Sequence, residues 1–139
     1  MAFPLIEHTR KSRREILEVV NEKLTSVGLK DMGHKMPAEL SGGMRKRVGL
    51  ARAIALDPVV VFYDEPTSGL DPVVGGVIDK LIKDLSEKLL ITSVVVTHDM
   101  QSVFNIADRV AMVHKGAVIA VGDVDYIKST DNPFIRQFI

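Results

Sequence analysis

Two acidic residues at the end of an apolar run are the first sign of chemistry in this chain. Asp64-Glu65-Pro66 follows the β-branched residues Val59-Val60-Val61, then Phe62 and Tyr63. Such a run reads as a strand buried on both faces, and open parallel sheets bind ligands at the carboxyl ends of their strands. A strand-end Asp64 is suited to Mg²⁺, which takes one or two carboxylates plus phosphate oxygens and water. The adjacent Glu65 can orient and deprotonate a water attacking a phosphoryl group. The same pair also fits a solvated turn. A second group is Leu40-Ser41-Gly42-Gly43 at a helix start. A hydroxyl, two residues without side chains and a helix N-terminus suit phosphate oxygens, although an ordinary Ser-capped helix looks the same. Third is Thr97-His98-Asp99 after another apolar run. His98 can donate to a γ-phosphate, or serve as a structural hydrogen-bonder, as His8, His34 and His114 are read. Ser68-Gly69-Leu70-Asp71 forms a tight turn beyond the carboxylates.

The elements that must position these groups follow from periodicity. Ile16, Leu17, Val20, Leu24 and Val27 recur at helical spacing, so residues 9–27 are an amphipathic helix stopped by Gly28. Residues 28–40 read as a connector, and Ser41 caps a helix over 44–56 that Asp57-Pro58 ends. Strands are expected over 59–63 and 91–97. Between them Pro72 opens a helix to residue 89, with Val73, Val77, Ile78, Leu81, Ile82 and Leu85 facing inward. A short helix over 100–107 precedes strands 110–114 and 118–121, which flank Lys115-Gly116 as a hairpin. Asp123 caps a last short helix. Strands alternating with helices imply an α/β fold with a mainly parallel sheet.

Bulk properties narrow the class. The chain has 139 residues, 46% hydrophobic and 26% charged, a globular composition long enough for one core. No apolar run approaches the ~18 residues of a membrane-spanning helix. There is no cysteine, which excludes disulfides and thiolate metal sites and permits a reducing compartment. Charges begin at Glu7 and no secretory pattern is present, so the expected location is cytoplasmic. Net charge is zero but uneven. Residues 1–47 hold ten Lys/Arg against six Asp/Glu, and the remainder eight against twelve. That asymmetry fits two solvated faces, or a basic helical lobe beside an acidic metal-handling strand end.

In order and spacing the motifs resemble the ATP-binding subunits of ABC transporters along essentially the whole chain. Leu40-Ser41-Gly42-Gly43-Met44-Arg45-Lys46-Arg47 is similar to the ABC signature, and residues 59–66 resemble the Walker B strand with its catalytic glutamate. Ser68-Gly69-Leu70-Asp71 resembles the D-loop, and His98 falls at the switch histidine. The resemblance implies the C-terminal part of the ABC ATPase fold. Residues 1–56 would be a helical signature subdomain, and 57–139 part of a RecA-like core with a C-terminal hairpin. It implies ATP and Mg²⁺ as ligands, a homodimer in which each signature completes the other subunit's site, and transmembrane permease partners. Ser41, Gly42 and Gly43 would touch a partner's nucleotide, and because their helix points at that neighbour, Lys46 and the other signature-helix cations could not replace a phosphate cradle for the chain's own nucleotide. Asp64 would hold Mg²⁺, with Glu65 and His98 acting on the chain's own nucleotide and Asp71 lying beside it. Location would be peripheral, on the cytoplasmic face of the inner membrane. Ala2-Phe3-Pro4-Leu5, Glu7-His8-Thr9, Tyr63 and Thr97-His98-Asp99-Met100 resemble the phospholipid-trafficking branch, concerned with lipid asymmetry and organic-solvent tolerance.

One departure matters. No G-x-x-x-x-G-K-[ST] occurs, so the phosphate-cradling loop and its lysine are not in this sequence, and the Mg²⁺-ligating loop glutamine is expected upstream of residue 1. The chain therefore reads as a fragment, or as a non-catalytic module that donates its signature or docks on a permease. The DNA-repair and chromosome-maintenance branch would need sustained heptads, which are absent, so no nucleic acid is expected.

Overall fold

A computed structural model describes residues 1–139, which form two compact units, Met1–Val96 and Thr97–Ile139. The expected subdomain boundary at 56/57 lies inside the first of them.

The first unit begins with helix α1, Ala2–His8, which residue spacing had not disclosed. Helix α2, Arg13–Ser26, starts later than expected because Ser12 caps it. The Ser12 hydroxyl accepts from the Glu15 amide, while the Glu15 carboxylate accepts from the Ser12 N–H at 2.6 Å and Oγ at 2.7 Å. This reciprocal arrangement satisfies donors that a helix start otherwise leaves open. Gly28 follows at φ 72, a left-handed conformation that suits glycine. Helix α3 is Gly42–Ala53, capped by Ser41, and α1 packs on α2, α2 on α3.

Strands β1, Val60–Asp64, and β2, Thr92–Val96, pair in parallel, with Val60 opposite Thr92 and Asp64 opposite Val96. Helix α4, Pro72–Leu89, connects them and also packs against α3. The burial of β1 alternates rather than being complete. Val61 and Tyr63 are buried, whereas Val60 is 41% and Phe62 75% exposed. The expectation of a strand covered on both faces fails, because only the face carrying Val61 and Tyr63 is buried. Val94 and Val96 of β2 continue the open apolar face. On α4, the stripe Ile78, Ile82 and Leu85 is buried, but Val73 and Val77 are exposed, against the inward placement expected of them. The apolar residues of α4 span more than the one face the sheet can cover.

The second unit holds helix α5, Met100–Ile106, strands β3, Val110–His114, and β4, Ala117–Gly122, and helix α6, Val124–Ser129. β3 and β4 form an antiparallel hairpin whose corner, Lys115 at φ 47 and Gly116 at φ 77, has the left-handed pair that matches strand twist. Ala120, Ile127 and Ile135 form its core, with Met100, Phe104 and Met112 packed around them. Asp123 caps α6 by accepting from the Tyr126 amide at 2.7 Å.

Candidate functional site

Asp64 ends β1, and the chain turns sharply at Glu65. Its backbone lies at φ 46, a region that non-glycine residues enter at a cost of order 1–3 kcal/mol. Hydrogen bonds hold it there from several sides. The Glu65 N–H donates to the Val96 carbonyl at 2.8 Å, extending the parallel ladder by one residue. The Glu65 carbonyl accepts from the Ser68 N–H at 3.2 Å and from the Lys46 ammonium at 3.0 Å. Beneath this turn, burial pushes the Tyr63 phenol above its ordinary value, with the neighbouring Ser93 hydroxyl acting against it. Tyr63 therefore stays neutral at physiological pH and adds no negative charge below Asp64.

The helix start that sequence singled out is well formed. Ser41 Oγ accepts from the Met44 amide at 3.3 Å, and the Arg45 guanidinium donates to the Leu40 carbonyl at 2.6 Å. Gly42 and Gly43 occupy the first turn, where amides lack intrahelical acceptors and the helix dipole favours anions. Their smallness serves different ends. A Cβ on Gly42 would meet Leu70 Cδ2 at an ordinary 3.5 Å, but one on Gly43 would strike Val74 Cγ1 at 2.8 Å. Gly43 is thus also what lets α3 approach the start of α4.

Asp71, expected beside nucleotide, accepts from the amides of Val73 at 3.1 Å and Val74 at 3.0 Å, and so caps α4. Pro72 at the first helical position completes that start. Ser41, Gly42, Gly43, Asp64, Glu65 and Asp71 all belong to the first unit, and Lys46 hydrogen-bonds the signature helix to the carboxylate turn 19 positions on. The Lys46 ammonium reaches the Glu65 carbonyl of its own chain. Its spacing from Ser41 contains no trace of that contact. His98 stands at the start of the second unit, where the neighbouring Thr97 hydroxyl accepts from the Asp99 amide and Asp99 caps α5.

No three His, Cys, Asp or Glu side chains converge as a metal cage. The Asp64–Glu65 pair fits Mg²⁺ that arrives with a triphosphate and keeps most of its ligands as phosphate oxygens and water. Beside it lies a cleft of about 460 Å³ bordered by Pro4, Lys46, Arg52, Phe62 and Asp64, which places cations and a carboxylate on an apolar floor. No helix is long and apolar enough to cross a membrane.

These features recur in known proteins. The ABC transporter family matches residues 4–68, the segment that contains the signature helix and the Asp64-Glu65 turn. The intermembrane phospholipid transport system ATP-binding protein MlaF of Haemophilus influenzae is 45% identical over all of this chain and 53% of its own length. The probable ribonucleotide transport ATP-binding protein mkl of Mycobacterium tuberculosis H37Rv is 43% identical over 99% of this chain and 38% of its own. A dimeric, post-hydrolysis ATP-binding cassette bound to ADP and Pi superposes with a TM-score of 0.75 at 33% identity, covering 88% of this chain and 54% of that one. The chain thus spans about half the length of these relatives or less. With its motifs in order and its fold part of theirs, it belongs to the ABC transporter ATP-binding family.

Proposed function

We propose that the chain is the signature and Walker B portion of an ATP-hydrolysing subunit that powers lipid movement through a membrane permease. The observation that carries this reading is the joining, in one unit, of an Asp-Glu pair at a parallel strand end to a Gly-Gly helix start. In this reading residues 1–56 are the helical signature subdomain and 57–139 part of the ATPase core. Glu65 takes a proton from the attacking water, Asp64 holds the metal, and His98 donates to the γ-phosphate. Ser41, Gly42 and Gly43 present their helix start to the nucleotide of a second, identical ATPase subunit, with Asp71 shaping the turn alongside. Mg²⁺, when bound, neutralises charge on the phosphate oxygens. The complex works at the cytoplasmic face of the inner membrane. Phospholipid is the favoured cargo because a relative at 45% identity carries that function in its name.

The test is Glu65→Gln in the assembled transporter. ATP binding should persist while turnover falls by about 10²–10⁴-fold, the usual contribution of a general base. Turnover at the wild-type level would remove Glu65 from that role. Cargo is tested by comparing phospholipid with ribonucleotide as stimulant of ATP hydrolysis.

In a second reading, the chain only lends its signature, the Ser41-Gly42-Gly43 helix start, to a partner's site. In an assembly with a partner ATPase, Gly42→Asp in this chain would then stop the partner's turnover, whereas Glu65→Gln would leave it intact.

A further inference from the structure

The geometry points to Lys46 as a positioning residue that aims the Glu65 carboxylate from the signature helix. This rests on the reading of Glu65 as the base. A carboxylate that must meet a water in line with phosphorus needs a fixed backbone beneath it, because small misplacements degrade catalysis steeply. The Glu65 backbone is fixed by hydrogen bonds rather than by a helix or strand of its own. It lies outside regular structure, at φ 46, where a non-glycine residue relaxes away unless its neighbours hold it. The Glu65 N–H is anchored on β2 through the Val96 carbonyl. On the other side, the peptide that leads out of Glu65 is held by the Ser68 amide and the Lys46 ammonium. Ser68 belongs to the same short turn and moves with it, so Lys46 is the donor that ties this peptide to a separate helix. The contact is partly buried, and an ammonium on a peptide oxygen is stronger there than in open water.

A mechanical consequence follows. Lys46 lies on α3, little more than one turn from Ser41-Gly42-Gly43. Those residues engage the partner's nucleotide in the proposed function. A shift of α3 on engagement is therefore passed through one hydrogen bond to the chain's own carboxylate. Lys46 links occupancy of one site with the competence of the other, and does so without touching either nucleotide.

The test compares Lys46→Met, Lys46→Arg and Glu65→Gln in the assembled ATPase, with thermal unfolding of each. Lys46→Met should lower kcat about 10–100-fold, within the loss expected of a displaced catalytic group, and leave KM for ATP unchanged. Lys46→Arg, which keeps a cationic donor, should recover most of that loss. In the chain without nucleotide, amide exchange at Ser68 and Glu65 should accelerate in Lys46→Met and return in Lys46→Arg. This second readout decides the matter even where the Met variant assembles poorly. Wild-type kcat in Lys46→Met, with Glu65→Gln inactive, would overturn the role of Lys46 and leave that of Glu65 standing. A raised KM at constant kcat would overturn it too, since Lys46 would then bind phosphate directly. An active Glu65→Gln would instead overturn the reading beneath.

Discussion

Gly43 answers two demands that a sequence motif merges into one. Its amide stands in the first turn of α3, which the proposed function presents to phosphate, and its missing side chain admits Val74 of α4. The second demand is separable from the first by substitution. Gly43→Ala must move a β-branched, rotamer-poor Val74, and overpacking of this kind costs about 1–3 kcal/mol. Gly42→Ala meets only ordinary contact with Leu70 and should leave stability nearly unchanged. Urea denaturation of the two variants checks the contrast, and Val74→Ala should rescue Gly43→Ala. Equal stability of the two single variants would show that the approach of α3 to α4 is not limited by Gly43.

Helix starts carry much of the remaining site, and each is testable as an element. Asp71 caps α4, so Asp71→Ala should cost about 1 kcal/mol, whereas Asp71→Ser keeps an acceptor and should cost less. Loss of turnover in the Ser variant with stability retained would isolate a nucleotide-side role for Asp71. At α2, the Ser12 hydrogen bonds hold the Glu15 carboxyl below its ordinary value, with the charge of Lys11 adding a little. The sign follows from the depressed value. The contribution of Glu15 is complete above the usual carboxylate range and disappears as pH falls through the lowered one. The Ser12 amide should therefore exchange faster with solvent at acid pH, beyond the intrinsic trend. Glu15→Gln, which keeps the acceptor without a titrating proton, should flatten that dependence.

At the scale of the whole chain, two consequences follow from what surrounds β1. Phosphoryl transfer depends on positioning and charge stabilisation, and the phosphate-cradling loop supplies much of both. Without that loop in its sequence, the 139-residue polypeptide should bind ATP poorly. It should show no Glu65-dependent phosphate release near the ~1 per second ordinary for an enzyme. The second consequence is colloidal. Phe62, Val94 and Val96 lie together on an open sheet face, and exposed strands template pairing with further chains. Isolated chain should self-associate with rising concentration, measured by sedimentation, and Phe62→Lys should shift it toward monomer. Monomeric wild-type chain at high concentration would contradict this.

Local chemistry is legible along the chain alone. Adjacent residues set Ser41 as a cap, Asp64-Glu65 as a strand end, Asp123 as a cap and Lys115-Gly116 as a hairpin corner, because each depends on backbone preferences within a few positions. The order of those signals was enough to recognise the family. The tertiary structure decided what depends on distant neighbours. A β-branched run such as residues 59–63 reads the same whether one face or two are covered, so only packing reveals that Val61 and Tyr63 are buried and Phe62 is left open. Val73 and Val77 carry the same apolar signal as Ile78 and Ile82, and they differ only in which side of α4 is packed against its neighbours. Lys46 is the clearest case. Its helical register follows from sequence, but the carbonyl it reaches lies 19 residues away across a strand and a turn. Hydrophobic period and capping chemistry act along the chain, whereas the hydrogen bond that fixes Glu65 acts across it.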